Sequence, residues 1–192
     1  MRRMSRRYCS YAHRPAVFTR EECEQIRGLG EALDLKDAET DTDAAGSRVA
    51  IAQRNCKLRF VKPNVDGWAW VFERMNEHAR AVNESTWKFG IKDLEAIQYT
   101  SYGMGHFYAA HFDNGSKATQ HRKLSISVQL SAPGDYVGGA LRFWSMNDSQ
   151  EAPKDQGSMV LFPPYLMHVA KPVWWGRREV LVGWMDGTAL LT

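Results

Sequence analysis

Apolar residues along this chain fall into two textures. In the first half they recur at helical spacing. Thr19-Arg20-Glu21-Glu22 has the form of a capping box, with Thr19 capping and Glu22 reaching back to it. The helix it opens carries Cys23, Ile26 and Leu33 on one stripe and is expected to end near Leu33. A second helix is expected from about Asp66 or Gly67, because Trp68, Val71, Met75, Ala79 and Val82 fall at i, i+3, i+7, i+11 and i+14 and so share one face. Asn83-Glu84-Ser85-Thr86 ends it, and its apolar face predicts a helix lying on a sheet. Before the first helix, Pro15-Ala16-Val17-Phe18 reads as a short extended entry. Residues 36–47 are small, polar and acidic without periodicity, which predicts a surface loop. Arg48 to Val61, with Val49, Ile51, Leu58 and Phe60, reads as strand interrupted around Gln53–Asn55.

From Trp87 the pattern becomes short strands bounded by turn residues. Strands are expected at 87–91, 94–102, 106–113, 123–131, 140–144, 158–162, 166–170 and 178–185, with breaks rich in Gly, Pro, Asn and Asp. Helices first and then about eight strands predict an α+β domain with a jelly-roll core. The expected organisation is a single domain over residues 1–192. Within it, 1–14 would be a flexible basic tail, 15–86 a helical support region and 87–192 the core.

Composition narrows this picture only a little. Apolar residues at 44% and charged residues at 24% are ordinary for a globular domain. The net charge of +3, from 25 basic against 22 acidic side chains, does not argue for a nucleic-acid-binding face, since Arg2, Arg3, Arg6, Arg7 and Arg14 supply much of it. Cys9, Cys23 and Cys56 are odd in number and include no C-x-x-C pair, so a disulfide framework is not expected and a reducing cytoplasm is. They read as buried, inert thiols. No apolar run approaches the roughly 18 residues of a membrane span, and no apolar segment of a secretory signal follows the basic N-terminus.

The candidate chemistry centres on His111-Phe112-Asp113, His168 and Arg178. Alternation along a strand points His111 and Asp113 to one face and Phe112 to the other. Two histidines and one carboxylate can hold a divalent iron on one side and leave the remaining coordination positions open. By the same alternation Tyr108 lies on the face away from both ligands, as core or pocket wall. A lone histidine on an apolar strand is ordinarily a hydrogen-bonded core residue; only the joint pattern raises these above that reading. Arg178 can be a surface ion pair, the reading given to its neighbour Arg177, or a buried fork for a carboxylate. Ser125, Ser127 and Gln129 alternate with Leu124, Ile126, Val128 and Leu130; alternation alone leaves open whether the polar face meets a barrel interior or water. His106 and His121 read equally as substrate contacts or solvated side chains. For Trp174-Trp175, packing beside the last strand is favoured over a substrate wall.

Three longer segments carry a resemblance. Ile97 to Tyr102, then Gly103, Gly105 and His106 through Asp113, is the first. Val128 to Pro133 with Asp135-Tyr136-Val137-Gly138-Gly139 is the second, and His168 to Val173 with Gly176 through Trp184 is the third. In order and spacing, over residues of about 95 to 187, the chain resembles the prolyl-4-hydroxylase-like family of 2-oxoglutarate- and Fe(II)-dependent dioxygenases. The resemblance implies a double-stranded β-helix with iron held by His111, Asp113 and His168. It implies 2-oxoglutarate chelating the metal, with Arg178 gripping the far carboxylate and Ser125 and Gln129 on the co-substrate strand, where the family more often has threonine or tyrosine. Tyr102 would lie near metal and co-substrate, and Trp184 would be an aromatic beside the iron. O2 is the implied second co-substrate and ascorbate a supporting reductant.

The reaction so implied is oxidative decarboxylation of 2-oxoglutarate to succinate and CO2, coupled to hydroxylation of an unactivated C–H bond. A prolyl residue in a peptide or protein is the leading substrate, and a free amino acid or other small molecule the alternative. Repair of alkylated nucleic acid would want a further arginine where Trp184 stands. A metal-binding jelly roll without redox activity would have no use for Arg178. Segments 36–47 and 145–157 are the places to look for substrate control, plain connectors being the simpler reading.

Overall fold

The computed structural model describes residues 11–38, 53–114, 119–145 and 148–187. In chain order it runs β1 (Ala12–Arg14), α1 (Arg20–Glu31), β2 (Lys36–Asp37), β3 (Arg54–Asn55), β4 (Lys57–Val61) and α2 (Ala69–Thr86). Ten strands follow: β5 (Ile97–Tyr102), β6 (Phe107–His111), β7 (Arg122–Gln129), β8 (Tyr136–Gly138) and β9 (Leu141–Ser145), then β10 (Asp148–Glu151), β11 (Met159–Phe162), β12 (His168–Ala170), β13 (Val173–Gly176) and β14 (Arg178–Asp186).

The helices form for the reasons visible in the sequence. Thr19 Oγ1 accepts from the Glu22 amide at 3.2 Å while Glu22 Oε2 accepts from the Thr19 amide at 2.8 Å, so two otherwise orphaned donors are satisfied. α2 starts at Ala69 rather than at Asp66 or Gly67, because Gly67 sits at φ +80°, outside the right-handed helical region. Trp68, Val71, Met75 and Ala79 are buried and Val82 is partly buried. The strand expected at 87–91 does not form. Asn83 takes both backbone groups of Phe89, its Nδ2 donating to the carbonyl at 2.9 Å and its Oδ1 accepting from the amide at 3.0 Å. Lys88 turns the chain with φ 57°, away from the extended conformation a ladder needs.

All strand pairings are antiparallel. A seven-stranded sheet runs β1-β11-β7-β14-β5-β4-β2, a five-stranded sheet runs β10-β9-β12-β6-β3, and β13 pairs with β8. The large sheet sends one face to the helices. Leu124, Ile126, Val128, Tyr99 and Leu181 join Ile26, Met75 and Trp68 in the main core. Its other face looks toward the small sheet, and the space between them holds the site. This is the jelly-roll arrangement of an α+β fold.

Several local expectations are corrected. Part of the expected basic tail, Ala12–Arg14, is β1 on the edge of the large sheet, paired with β11, and Tyr11 stacks on Phe143 at 4.9 Å. Residues 1–10, and with them Cys9, lie outside the described residues. Lys36–Asp37, in the expected surface loop, pair with β4 as β2; residues 39–52 lie outside the described set. Within 145–157, the segment Asp148–Glu151 folds back on β9 as β10. Trp174 and Trp175 do not pack beside the last strand: they are exposed on β13, which pairs with β8. Arg177 is exposed.

Candidate active site

The small sheet brings the two histidines together. β12 pairs with β6 so that His168 stands opposite His111, and Asp113 lies two residues beyond His111, in the turn that follows β6 rather than on the expected strand 106–113. Their side chains converge: His111 Nε2 lies 3.5 Å from Asp113 Oδ1, and His168 Nε2 lies 3.7 Å from Asp113 Oδ2. One ligand atom from each of the three lies within 4.8 Å of the others. Each imidazole is oriented from behind by a backbone carbonyl, Nδ1 of His111 on Ala109 O at 2.8 Å and Nδ1 of His168 on Leu166 O at 2.9 Å. In the neutral tautomer that network selects, Nδ1–H donates and Nε2 keeps its lone pair for a metal.

The electrostatics agree with that role. Burial alone would raise the Asp113 pKa. The hydrogen bond with His111, the neighbouring His168 and the Ser125 hydroxyl overcome it and hold the carboxyl well below the usual carboxylate range. Burial lowers the pKa of His168 against the pull of Asp113. Asp113 is thus favoured as the carboxylate and His168 as the neutral imidazole, the forms a divalent cation needs. Ser125 is fully buried and donates to Asp113 Oδ2 at 2.6 Å. Its hydroxyl therefore sits behind a ligand carboxylate and not on the cavity wall.

A cavity of about 1090 Å³ opens from the triad between the sheets. Strand alternation supplies much of its wall: Gln98 and Tyr102 from β5, Ser127 from β7, and Arg178, Val180, Val182 and Trp184 from β14. The polar face of β7 therefore meets the barrel interior. Arg178 is 5% exposed. It stands opposite Tyr102 in the ladder, its guanidinium lies 5.5 Å from the centre of that ring, and its Nε donates to Gln129 Oε1 at 3.2 Å. No ion pair to Arg178 is formed among the described residues, and a buried cation without a counter-charge costs several kcal/mol. That environment suits an anion arriving in the cavity. Trp184 lies beneath Arg122, whose guanidinium is 3.9 Å from the indole centre.

Two cavity residues escape the alternation argument. Tyr108 stacks on His111 with ring centroids 3.5 Å apart, on the ligand side after all. The ladder gives the reason: His168 pairs with His111 but Ala170 pairs with Tyr108, so β6 carries one extra residue, a bulge that turns Tyr108 inward. A second irregularity does the same for Arg122. Met185 pairs with Leu124 and Asp186 with Arg122, so the extra residue falls at Lys123. Arg54 lies within the interruption seen at Gln53–Asn55, which was the one sequence signal that this edge is irregular. His121 pairs instead with Asp186, at 3.1 Å and half-exposed, and His106 is partly buried away from the triad's ligand atoms.

Residues 97–186 match the family model of the 2OG-Fe(II) oxygenase superfamily. A PKHD-type hydroxylase of Prochlorococcus marinus (strain MIT 9303) is 30% identical over half of this chain and 43% of its own length. The chain thus spans under half of the first relatives it matches. A PKHD-type hydroxylase of Gloeothece citriformis is 26% identical over 90% of the chain and 76% of its own length. Among solved structures, a Pseudomonas putida prolyl-4-hydroxylase superposes with a TM-score of 0.75 at 17% identity, covering 94% of both chains. A Trichoplax adhaerens prolyl hydroxylase, in complex with a hypoxia inducible factor oxygen degradation domain peptide, superposes with a TM-score of 0.75 at 15% identity over 93% of this chain and 84% of its own. Residues 97–186 are thus similar to the 2OG-Fe(II) oxygenase superfamily, and the fold is the one seen in the solved prolyl-4-hydroxylase.

Proposed function

We propose that the chain is an Fe(II)-, 2-oxoglutarate- and O2-dependent dioxygenase that hydroxylates an unactivated C–H bond, that of a prolyl residue in a peptide or protein, and releases succinate and CO2. The observation that carries this reading is a single cavity with the His111–Asp113–His168 donor set on its wall and the buried guanidinium of Arg178 lining it too. Fe(II) bound there, with 2-oxoglutarate and O2, would supply the oxidising power. The remaining work belongs to the side chains. His111, Asp113 and His168 would hold the metal at the cavity wall. Arg178 pairs with the far carboxylate of the co-substrate, and Gln129 fixes the guanidinium that does so. Tyr102 walls the co-substrate pocket beside Arg178, and Ser125 keeps Asp113 in register from behind. Trp184 covers the metal side of the mouth and helps exclude water.

The prolyl substrate draws support from the printed descriptions of the structural neighbours, one of which was solved with a peptide. The whole of residues 1–192 is read as one domain. Ascorbate as a supporting reductant and a reducing cytoplasm belong to the same proposal; the buried, unpaired thiols Cys23 and Cys56 support the latter. Among the described residues no helix is long and apolar enough to cross a membrane. The test is succinate formation by the purified protein with Fe(II), ascorbate and 2-oxoglutarate, alongside a mass-spectrometric screen of proline-containing peptides for one added oxygen. His111→Ala and His168→Ala are expected to abolish turnover, and Arg178→Ala to weaken chiefly the response to 2-oxoglutarate. Succinate at the level of a no-protein control would end this reading.

A further inference from the structure

The charge on the cavity wall is lopsided. Apart from Asp113 and Arg178, the charged residues among the described ones that line it are Lys36, Arg54, Arg59 and Arg122 against Asp37. With metal and a dicarboxylate bound, the dication and Arg178 balance Asp113 and the co-substrate, so the deep end is neutral and the mouth keeps its positive excess. Two of these cations are held in place. Arg122 lies 3.9 Å over the Trp184 ring and donates from Nη1 to the backbone carbonyl of the ligand Asp113 at 3.0 Å. Arg54 lies 4.5 Å over the Tyr108 ring, which is itself stacked on the ligand His111. They come from opposite sheets, β7 in the large one and β3 at the edge of the small one. Two bulges create the arrangement, one turning Arg122 inward and the other turning inward the ring that supports Arg54. Stacking removes much of the freedom an arginine loses on binding, and a planar fork held this way recognises carboxylates. Among the described residues no carboxylate pairs with Arg54.

Resting on the oxygenase reading above, we propose that Arg54 and Arg122 form a substrate clamp, and that the substrate carries a carboxylate beside the carbon to be hydroxylated. Two sources offer that group: an acidic side chain flanking the target residue in a peptide, or the free α-carboxylate of an amino acid.

The experiment measures binding by calorimetry, without oxygen, to the full chain loaded with Mn(II) and 2-oxoglutarate. The probes are short end-blocked peptides with a central proline flanked by glutamates or by glutamines, and L-proline against L-prolinamide. We expect the glutamate peptide to bind about tenfold tighter than its glutamine counterpart, as charge-assisted hydrogen bonds should provide. Added salt should erode that advantage and leave the neutral peptide unaffected. Arg54→Gln and Arg122→Gln should each reduce it, and Arg122→Lys should recover part. If the peptides are equal and L-proline instead outbinds L-prolinamide with the same dependence on both arginines, the clamp stands and its source is an α-carboxylate. Equal affinities within both pairs would overturn the proposal, as would an advantage that survives both glutamine variants. The oxygenase reading is judged separately, by 2-oxoglutarate binding to the metal-loaded wild type. A protein that binds the co-substrate but shows neither preference contradicts the clamp alone.

Discussion

At the scale of single residues, the site depends on a few contacts that orient others. Ser125 touches the carboxylate of Asp113 at 2.6 Å and lines no part of the cavity. Replacing it with alanine should lower metal affinity by about tenfold, the usual effect of removing a partner behind a ligand. The apparent KM for 2-oxoglutarate at saturating metal should stay the same. A competition titration with a chelator measures the first; a changed KM with unchanged metal affinity would instead put Ser125 at the co-substrate. Gly139 is a second case. A Cβ there would lie 3.1 Å from Arg178 Cδ and 3.0 Å from Val173 Cγ2, on a backbone at φ +61°. Gly139→Ala should therefore raise the KM for 2-oxoglutarate and cost about 1 kcal/mol of stability, read by steady-state kinetics and urea unfolding. The clustering of His111, Asp113 and His168 was legible because the H-x-D spacing sets the first two side by side, although Asp113 lies just past the end of β6. Tyr108 lines the cavity as one of its two readings allowed, but its facing, like that of Arg122, depends on a bulge, and one inserted residue reverses every facing beyond it.

Among elements, the helices hold the large sheet steady behind the site. Arg27 of α1 reaches Glu179 of β14, Nε to Oε2 at 2.7 Å, and Tyr99 of β5 donates to the other oxygen at 2.7 Å. Glu179 is 1% exposed and next to Arg178. Arg27→Ala would leave that carboxylate with one neutral donor, and the expected cost is about 3 kcal/mol in a denaturant titration. A loss below about 0.5 kcal/mol would mean the pair behaves as a surface contact. Both helices were readable from capping and spacing, which are local. The strand at 87–91 was misread because Asn83 captures Phe89 from six residues away, and apolar content alone does not register such a competitor. β1 and β10 were missed for the opposite reason: Ala12–Arg14 and Asp148–Glu151 are polar, and they become strands only because β11 and β9 offer them an edge.

For the molecule as a whole, the order of helices before short strands gave the jelly roll, since few layered architectures suit that order. The shape and charge of the cavity were beyond the sequence, because they arise where two sheets meet. Arg54 and Arg122, 68 residues apart in sequence, come to one cavity only through that packing. The proposed chemistry requires metal and co-substrate to share this one cavity, each holding the other. Calorimetric titration of 2-oxoglutarate into the protein without oxygen, with and without Mn(II), tests it most directly. The expected result is tight binding with metal, a large loss of affinity without it, and a comparable loss in Arg178→Gln with metal present. Equal affinity with and without metal, or an Arg178→Gln variant that binds like the wild type, would contradict it.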